Sequence, residues 1–480
     1  MHSWEEALRG RLRHASRGRV ARGTVIVLGS MLLLPTALWL IVLVAVMASR
    51  PGDGGGPTPP SIHRPALRAW ITVASVFVGA VVLSALRKPL TGHGVQLLLW
   101  FCLLPAIGVA FWAGGRRAHT TAAVWFGTTI GACTAGSVAV VQIVLLDQPR
   151  AEGLVANSIT FGNLALLMGA LSIALHRLVR LPGRAAFWAS SIAGVSGLIA
   201  GMLSGSRGGW LAVPLMVGLL LWQAHDELTP TRLARAALVM VATVSICNAL
   251  SDGMLTSRAS ASVTNVSGYA HSKEDPPTDE TPVTAAGSSE GARLEAWRSS
   301  GTAFRERPIS GIGWGNLGTR FDRDAELGHR HERIATFEHA HNQLIGAAAS
   351  GGAIGVASLL ALFVVPLRRF ARAARSRDQR LQALGVSGII VIGSFAVFGL
   401  TEAILENLVP VTFLAVVTAA LCAELDAAGR VTHHEQPAVS TAHGSRRRRR
   451  TSFAVPTRSP RSAGVDRVIA VLPPSFRGLR

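Results

Sequence analysis

An all-α, polytopic membrane fold is expected for this chain of 480 residues on three grounds. Hydrophobic residues make up 49% of it and charged residues 15%, where a soluble domain carries about 25% charge. Mean hydropathy is +0.38. The apolar residues also collect into eleven runs near the length that a spanning helix needs, about 20 residues. This composition excludes a chain disordered throughout. It also excludes a soluble nucleic-acid binder, because the charge of +20 does not sit on a polar fold.

The runs are 24–48, 67–86, 95–113, 120–146, 155–176, 185–203, 208–223, 235–250, 342–366, 383–401 and 404–422. Gly and Pro inside them do not argue against helices, since membrane helices tolerate both. The first run follows Arg9, Arg11, Arg13, Arg17, Arg19 and Arg22. That resembles a signal peptide, but its apolar core is too long and further runs follow, so an uncleaved anchor is expected. Arginine-rich loops set orientation. Arg116 and Arg117; Arg177, Arg180 and Arg184; Arg232 and Arg235; and the stretch Arg368 to Arg380 agree by parity on one side, the cytoplasm. Residues 251–341 then face outward and the tail, with Arg446 to Arg450, faces inward. Eleven crossings leave the basic N-terminus on the wrong side. Reading 24–48 as a hairpin broken at Pro35 restores it and gives about twelve helices with both ends inside.

The expected organisation is a basic cytoplasmic N-terminus (1–23), N-terminal spans (24–250), an outer loop (251–341), C-terminal spans (342–422) and a basic, disordered cytoplasmic tail (423–480). The outer segment 251–340 carries ten basic and thirteen acidic residues, against thirty-seven and fourteen elsewhere. The positive charge therefore belongs to the inner face, where it sets topology and meets anionic membrane lipids rather than nucleic acid. Cys102, Cys133, Cys247 and Cys422 lie far apart in or beside apolar runs, which argues against a disulfide scaffold or zinc cluster.

Within the outer segment, 258–290 reads as a flexible polar loop, and Arg293, Glu295, Trp297, Arg298 and Phe304 mark an amphipathic helix ending before Pro308. PISGIGWGNLG (308–318) lacks the lysine-serine pair of a phosphate loop. It is either a tight turn or part of a ligand cleft. His339 and His341 precede a span. A metal needs more converging ligands than these, so none is expected, and no other cofactor either. Each histidine fits either a general base or a hydrogen bond to a helix end. Arg207, in SGSRGGW (204–210), lies on the outer side among small residues, where a guanidinium meets a phosphate closely or anchors the interface beside Trp210.

The segments ITFGNLALLMG (159–169), SGSRGGW (204–210), RLEAWRSS (293–300), PISGIGWGNLG (308–318), HAHNQLIGAAASGGAIG (339–355) and GLTEAILEN (399–407), in this order, resemble the O-antigen ligase and polymerase superfamily of bacterial envelopes. The resemblance covers about 155–422 and is nearest to the ligase that completes lipopolysaccharide. It implies a C-type membrane glycosyltransferase in the inner membrane with its site facing the periplasm, inverting and metal-independent. The implied partners are an undecaprenyl-pyrophosphate-linked O-antigen as donor and a sugar of lipid A-core as acceptor. Arg207 and Arg293 would grip the pyrophosphate, His339 or His341 would activate the acceptor hydroxyl, and Trp297 and Asn342 would bind substrate. The family's acidic residue after the histidine motif is replaced by Ala349 or Ser350, and Glu402 stands as a substitute partner. A polymerase on the same donor, a protein glycosyltransferase or a transporter with Glu402 as its intramembrane charge are the alternatives.

Overall fold

The computed structural model describes residues 64–85, 91–113, 120–154, 157–182, 184–251, 253 and 289–434. All fall in the unit Met1–Glu435; the second unit, Gln436–Arg480, lies outside the described residues. So does the expected first run, 24–48, and with it the hairpin at Pro35. The described residues are helical and contain no strand.

Ten long apolar helices follow the runs read from the sequence: α1 (Pro65–Ala85), α2 (Gly92–Ala113), α3 (Thr120–Val140, extended by a π turn to Leu145), α4 (Ser158–Leu175), α5 (Ala185–Leu203), α6 (Arg207–Gln223), α7 (Pro230–Leu250), α10 (Gln343–Ala374), α11 (Gln379–Phe398) and α12 (Leu408–His434). Among the described residues nine of these are long and apolar enough to cross a membrane; α6, at 17 residues, falls just short. Between α7 and α10 stand α8 (Ser289–Glu306) and α9 (Leu317–Glu326). α8 is the amphipathic helix expected before Pro308.

α4 and α12 form the centre, with 89% of each apolar window buried inside the protein. α4 packs on α3, α5, α6 and α11, and α12 on α1, α2, α3 and α11. Lipid is as apolar as leucine, so close backbone approach and polar pairs must hold such helices together. Both are present. A Cβ at Gly197 of α5 would strike the Ala165 carbonyl of α4. Trp125 Nε1 donates to Ser190 Oγ at 2.8 Å, and Ser172 Oγ lies within 3.1 Å of Ser190 Oγ and 2.7 Å of Thr129 Oγ1, which ties α3, α4 and α5 together. α7 is the opposite case: it packs mainly on α5, and Leu238, Val241 and Ile246 project outward. The four cysteines are free.

The two ends of the bundle differ. At one end, Asp426 of α12 accepts from the amides of Ala66 and Leu67, capping α1, and Glu424 accepts from Thr120 N and pairs with Arg380. A carboxylate at a helix N-terminus offsets both the unpaired amides and the dipole. Arg177 meets Glu227 between two loops of this same end. At the opposite end lie the start of α2, the starts of α4 and α6, all of α8 and α9, and the turn between α11 and α12. The arginine-rich loops and the functional candidates thus occupy opposite ends, as the alternation of spans requires.

Candidate functional site

The site begins with two breaks in helical backbone. α10 opens at Asn342, whose Oδ1 accepts from the amides of Leu344 and Ile345 at 3.0 Å each. Its Nδ2 donates to Leu400 O at 2.9 Å. Gln343 extends the same seam: its amide donates to Gly399 O at 2.7 Å and its Oε1 accepts from Leu405 N at 2.8 Å. Three hydrogen bonds therefore fasten the start of α10 to the turn that joins α11 to α12. Residue 341, just before the cap, has φ +49°. A left-handed histidine is uncommon and carries backbone strain. That conformation turns the ring of His341 back over the seam, against the edges of Phe337 and His339 at 4.6 and 4.4 Å.

The seam delivers Glu402, which is 7% exposed. His341 Nδ1 lies 3.1 Å from Glu402 Oε2, and His339 Nε2 lies 3.5 Å from Oε1. The Arg293 guanidinium of α8 stands 4.0 Å from Oε2. Burial pushes the Glu402 carboxyl up, but His341, His339 and Arg293 together outweigh it and hold the group below its ordinary range. Glu402 is therefore an anion and accepts only, so His341 donates through Nδ1 in that contact. His339 differs. Its Nδ1 accepts from the amide of His341 at 3.4 Å, and its Nε2 faces Glu402, so both nitrogens are engaged. Burial drives His339 down to about 4, against the pull of Glu402, and it is neutral at pH 7.

Trp297, one turn along α8 from Arg293, donates its indole N–H to Ala340 O at 2.7 Å, between the two histidines. Arg207 is the first residue of α6 and forms a short ion pair with Glu290 at the start of α8. A Cβ at Gly208 would overlap Thr401 Oγ1, so the first turn of α6 abuts the residue before Glu402. Arg293, His339 and His341 thus converge on Glu402, Trp297 binds the backbone between the two histidines, Asn342 caps α10 with both polar ends engaged in the protein, and Arg207 flanks the group through Glu290.

The glycine turn supplies the second break. α10 is interrupted at Gly352 (φ +61°, ψ −155°), and the turn 308–313 lies in the gap. Ile312 N and Gly313 N donate to Ala349 O and Ser350 O, while Ala353 N and Ile354 N donate to Pro308 O and Ile309 O. Four backbone groups at the interruption thus find partners in the turn, the kind of repair that breaking a helix in a membrane protein requires. A Cβ at Gly311 or Gly352 would overlap backbone across the joint. Trp314 then pins the turn among Phe77 and Phe101, with ring centroids at 5.8 and 5.4 Å. The segment is a tight turn, one of the two readings its sequence allowed, and it fixes the helix that follows His341.

Three acidic or basic groups near the cluster carried no functional signal in the sequence. Glu290 lies 83 residues from Arg207. His93 lies at the start of α2, has a buried Nε2 with no hydrogen-bond partner among the described residues, and acts electrostatically on His339. Glu406 is raised to about 8 by burial and by the charge of Glu402, so it is a neutral acid beneath the cluster. His339, His341 and Glu402 also present three donor atoms all within 4.8 Å of one another, a spacing that a cation can use. Sequence spacing alone did not reveal that convergence, because the third donor is 61 residues from His341.

Residues 192–360 match the family described as O-antigen ligase. The matched segment holds Arg207, Arg293, Trp297, His339, His341 and Asn342, and ends before Glu402. The chain is also 22% identical over 253 residues to an uncharacterized protein of Haemophilus influenzae, an alignment covering 52% of this chain and 60% of that protein. It therefore spans less than two thirds of the length of this relative.

Proposed function

We propose, from the O-antigen ligase family assignment of residues 192–360, that this protein transfers O-antigen glycan from undecaprenyl pyrophosphate to a sugar of lipid A-core. In this reading transfer takes place at the periplasmic face of the bacterial inner membrane, inverts the anomeric centre and completes lipopolysaccharide. One observation carries it: a single buried carboxylate, Glu402, gathers two histidines and an arginine at the end of the bundle opposite the arginine-rich loops.

The acceptor hydroxyl loses its proton to His341 Nε2 as its oxygen attacks the anomeric carbon. The bond from that carbon to the pyrophosphate oxygen breaks, and the lipid pyrophosphate departs with the electron pair. Glu402 on Nδ1 orients the imidazole and compensates the charge it gains, the role a buried carboxylate has behind a catalytic histidine. Arg293 and Arg207 neutralise the pyrophosphate as it leaves, so little acid assistance is required. His339 and Asn342 are positioning residues: one supports the His341 backbone, the other fixes the helix start. Trp297 borders the sugar and holds Ala340. Arg293 already supplies a cation to the carboxylate, so no metal takes part in this scheme.

The test is transfer of lipid-pyrophosphate glycan to purified lipid A-core by the full-length protein in lipid nanodiscs. Product on lipid A-core supports the ligase. Product formed only when the acceptor is a second lipid-linked glycan points to the polymerase, and uptake of substrate without transfer points to a transporter.

A further inference from the structure

Beyond the reacting groups, α8 borders a cavity of about 410 Å³, within the size range of small-ligand sites. Trp297, Gly301 and Arg305 line it at intervals of four residues along the helix, with Arg298 beside them and Arg330 from the chain after α9. The first of these, Trp297, also touches the cluster through Ala340, so the cavity starts where the site ends. Leu294, the residue after Arg293, lines its near end, and at 1.5 Å per residue the cavity runs about 16 Å along the helix to Arg305.

Its chemistry is specific. Trp297 has its N–H committed, and its ring forms an apolar wall. Gly301 leaves the middle open: a Cβ there would meet nothing within 4 Å. Around that space stand three guanidiniums. Arg298 pairs with buried Glu295 at 2.8 Å, and Arg330 Nε lies 3.7 Å from the other oxygen of the same carboxylate. Arg305 is exposed and pairs with no carboxylate among the described residues. Among the described residues, one carboxylate faces these three arginines, beside an aromatic face. Sugars pack their C–H faces on aromatic rings, and planar guanidiniums bind carboxylates and phosphates in preference to hydroxyls.

We infer that this cavity is a glycan subsite that holds a sugar bearing a carboxylate or phosphate, next to the sugar that reacts. The inference rests on the transfer reading for its place in the reaction. The acidic sugar can belong to the donor glycan or to the acceptor oligosaccharide.

The experiment separates binding from transfer. Full-length protein in nanodiscs is titrated with a glucuronate-containing tetrasaccharide and with its carboxyl-reduced neutral counterpart, and binding is followed by saturation-transfer NMR. The acidic glycan is expected to bind about tenfold more tightly, the effect of one good charged contact. Arg305→Glu, at an exposed position, should abolish that preference, and Gly301→Leu, whose Cβ meets nothing within 4 Å, should weaken both glycans. Arg232→Gln, exposed at the opposite end of the bundle, should leave binding intact. Equal binding of the two glycans, no binding of either, or unchanged preference in Arg305→Glu with unchanged affinity in Gly301→Leu overturns the subsite. Binding as expected in a protein that transfers to no acceptor keeps the subsite and sinks the transfer reading. Where transfer occurs, acidic donors with neutral acceptors and the converse pairing identify the source: the pairing slowed by Arg305→Glu carries the acidic sugar.

Discussion

Glu402 and His341 are 61 residues apart in the chain and meet at 3.1 Å. That contact turns two histidines that are alike in sequence into two different groups. Among the described residues Nε2 of His341 has no hydrogen-bond partner, while His339 has each nitrogen occupied. The carboxylate holds this arrangement only because the start of α10 is fastened to the turn after α11.

His341→Gln is expected to lower kcat for glycan transfer by about 10² to 10⁴, the usual contribution of a general base. His339→Gln should lower it by less and leave the pH–rate profile with the same ascending limb. Both are read in the nanodisc assay. An unchanged rate in His341→Gln removes the assignment of the base.

Glu402→Gln preserves shape but removes the charge that orients His341 and faces Arg293. A drop in kcat of about 10² or more is expected, with little change in donor KM. If donor KM rises while kcat holds, Glu402 acts through Arg293 on binding rather than through His341.

Arg207→Gln and Arg293→Gln should each reduce kcat/KM by at least about tenfold, and lysine should rescue incompletely, because a point charge does not reproduce a bidentate fork. Glu290→Gln should be far milder, since it removes only the partner that holds Arg207. Initial rates at varied donor concentration decide this.

Stability should fall as pH drops from about 6.5 to about 4, the span between the ordinary histidine value and that of His339. The unfolded chain takes up a proton in that window and the folded His339 does not, so acid favours unfolding. Glu402, also held low, adds to the loss as pH falls through the carboxylate range. Thermal melts of wild type and His339→Gln across this range measure the first part: the variant should show a shallower decline.

Gly352→Ala places a Cβ into the backbone of Ile309 at φ +61°, and is expected to cost about 1–3 kcal/mol or more. A lower melting temperature and loss of activity should appear together. Gly301→Ala, where nothing is met within 4 Å, should instead raise the melting temperature slightly, as alanine does in a helix.

The sequence by itself determined the membrane class, the long helices from α1 onward and the end of the bundle that carries the arginines, and it named Arg207, Arg293, His339 and His341 as candidates. Those properties are local: a run of about 20 apolar residues is a helix in a bilayer whatever packs on it. The tertiary structure decided the rest. It chose Glu402 as the hub, set Glu290 on Arg207, engaged both ends of Asn342 as a helix cap, and inserted the glycine turn into the interruption of α10. Each of these depends on which helix ends are brought side by side. A buried ion pair or a repaired helix break joins residues tens of positions apart, and only packing of the whole bundle brings their atoms within hydrogen-bond reach.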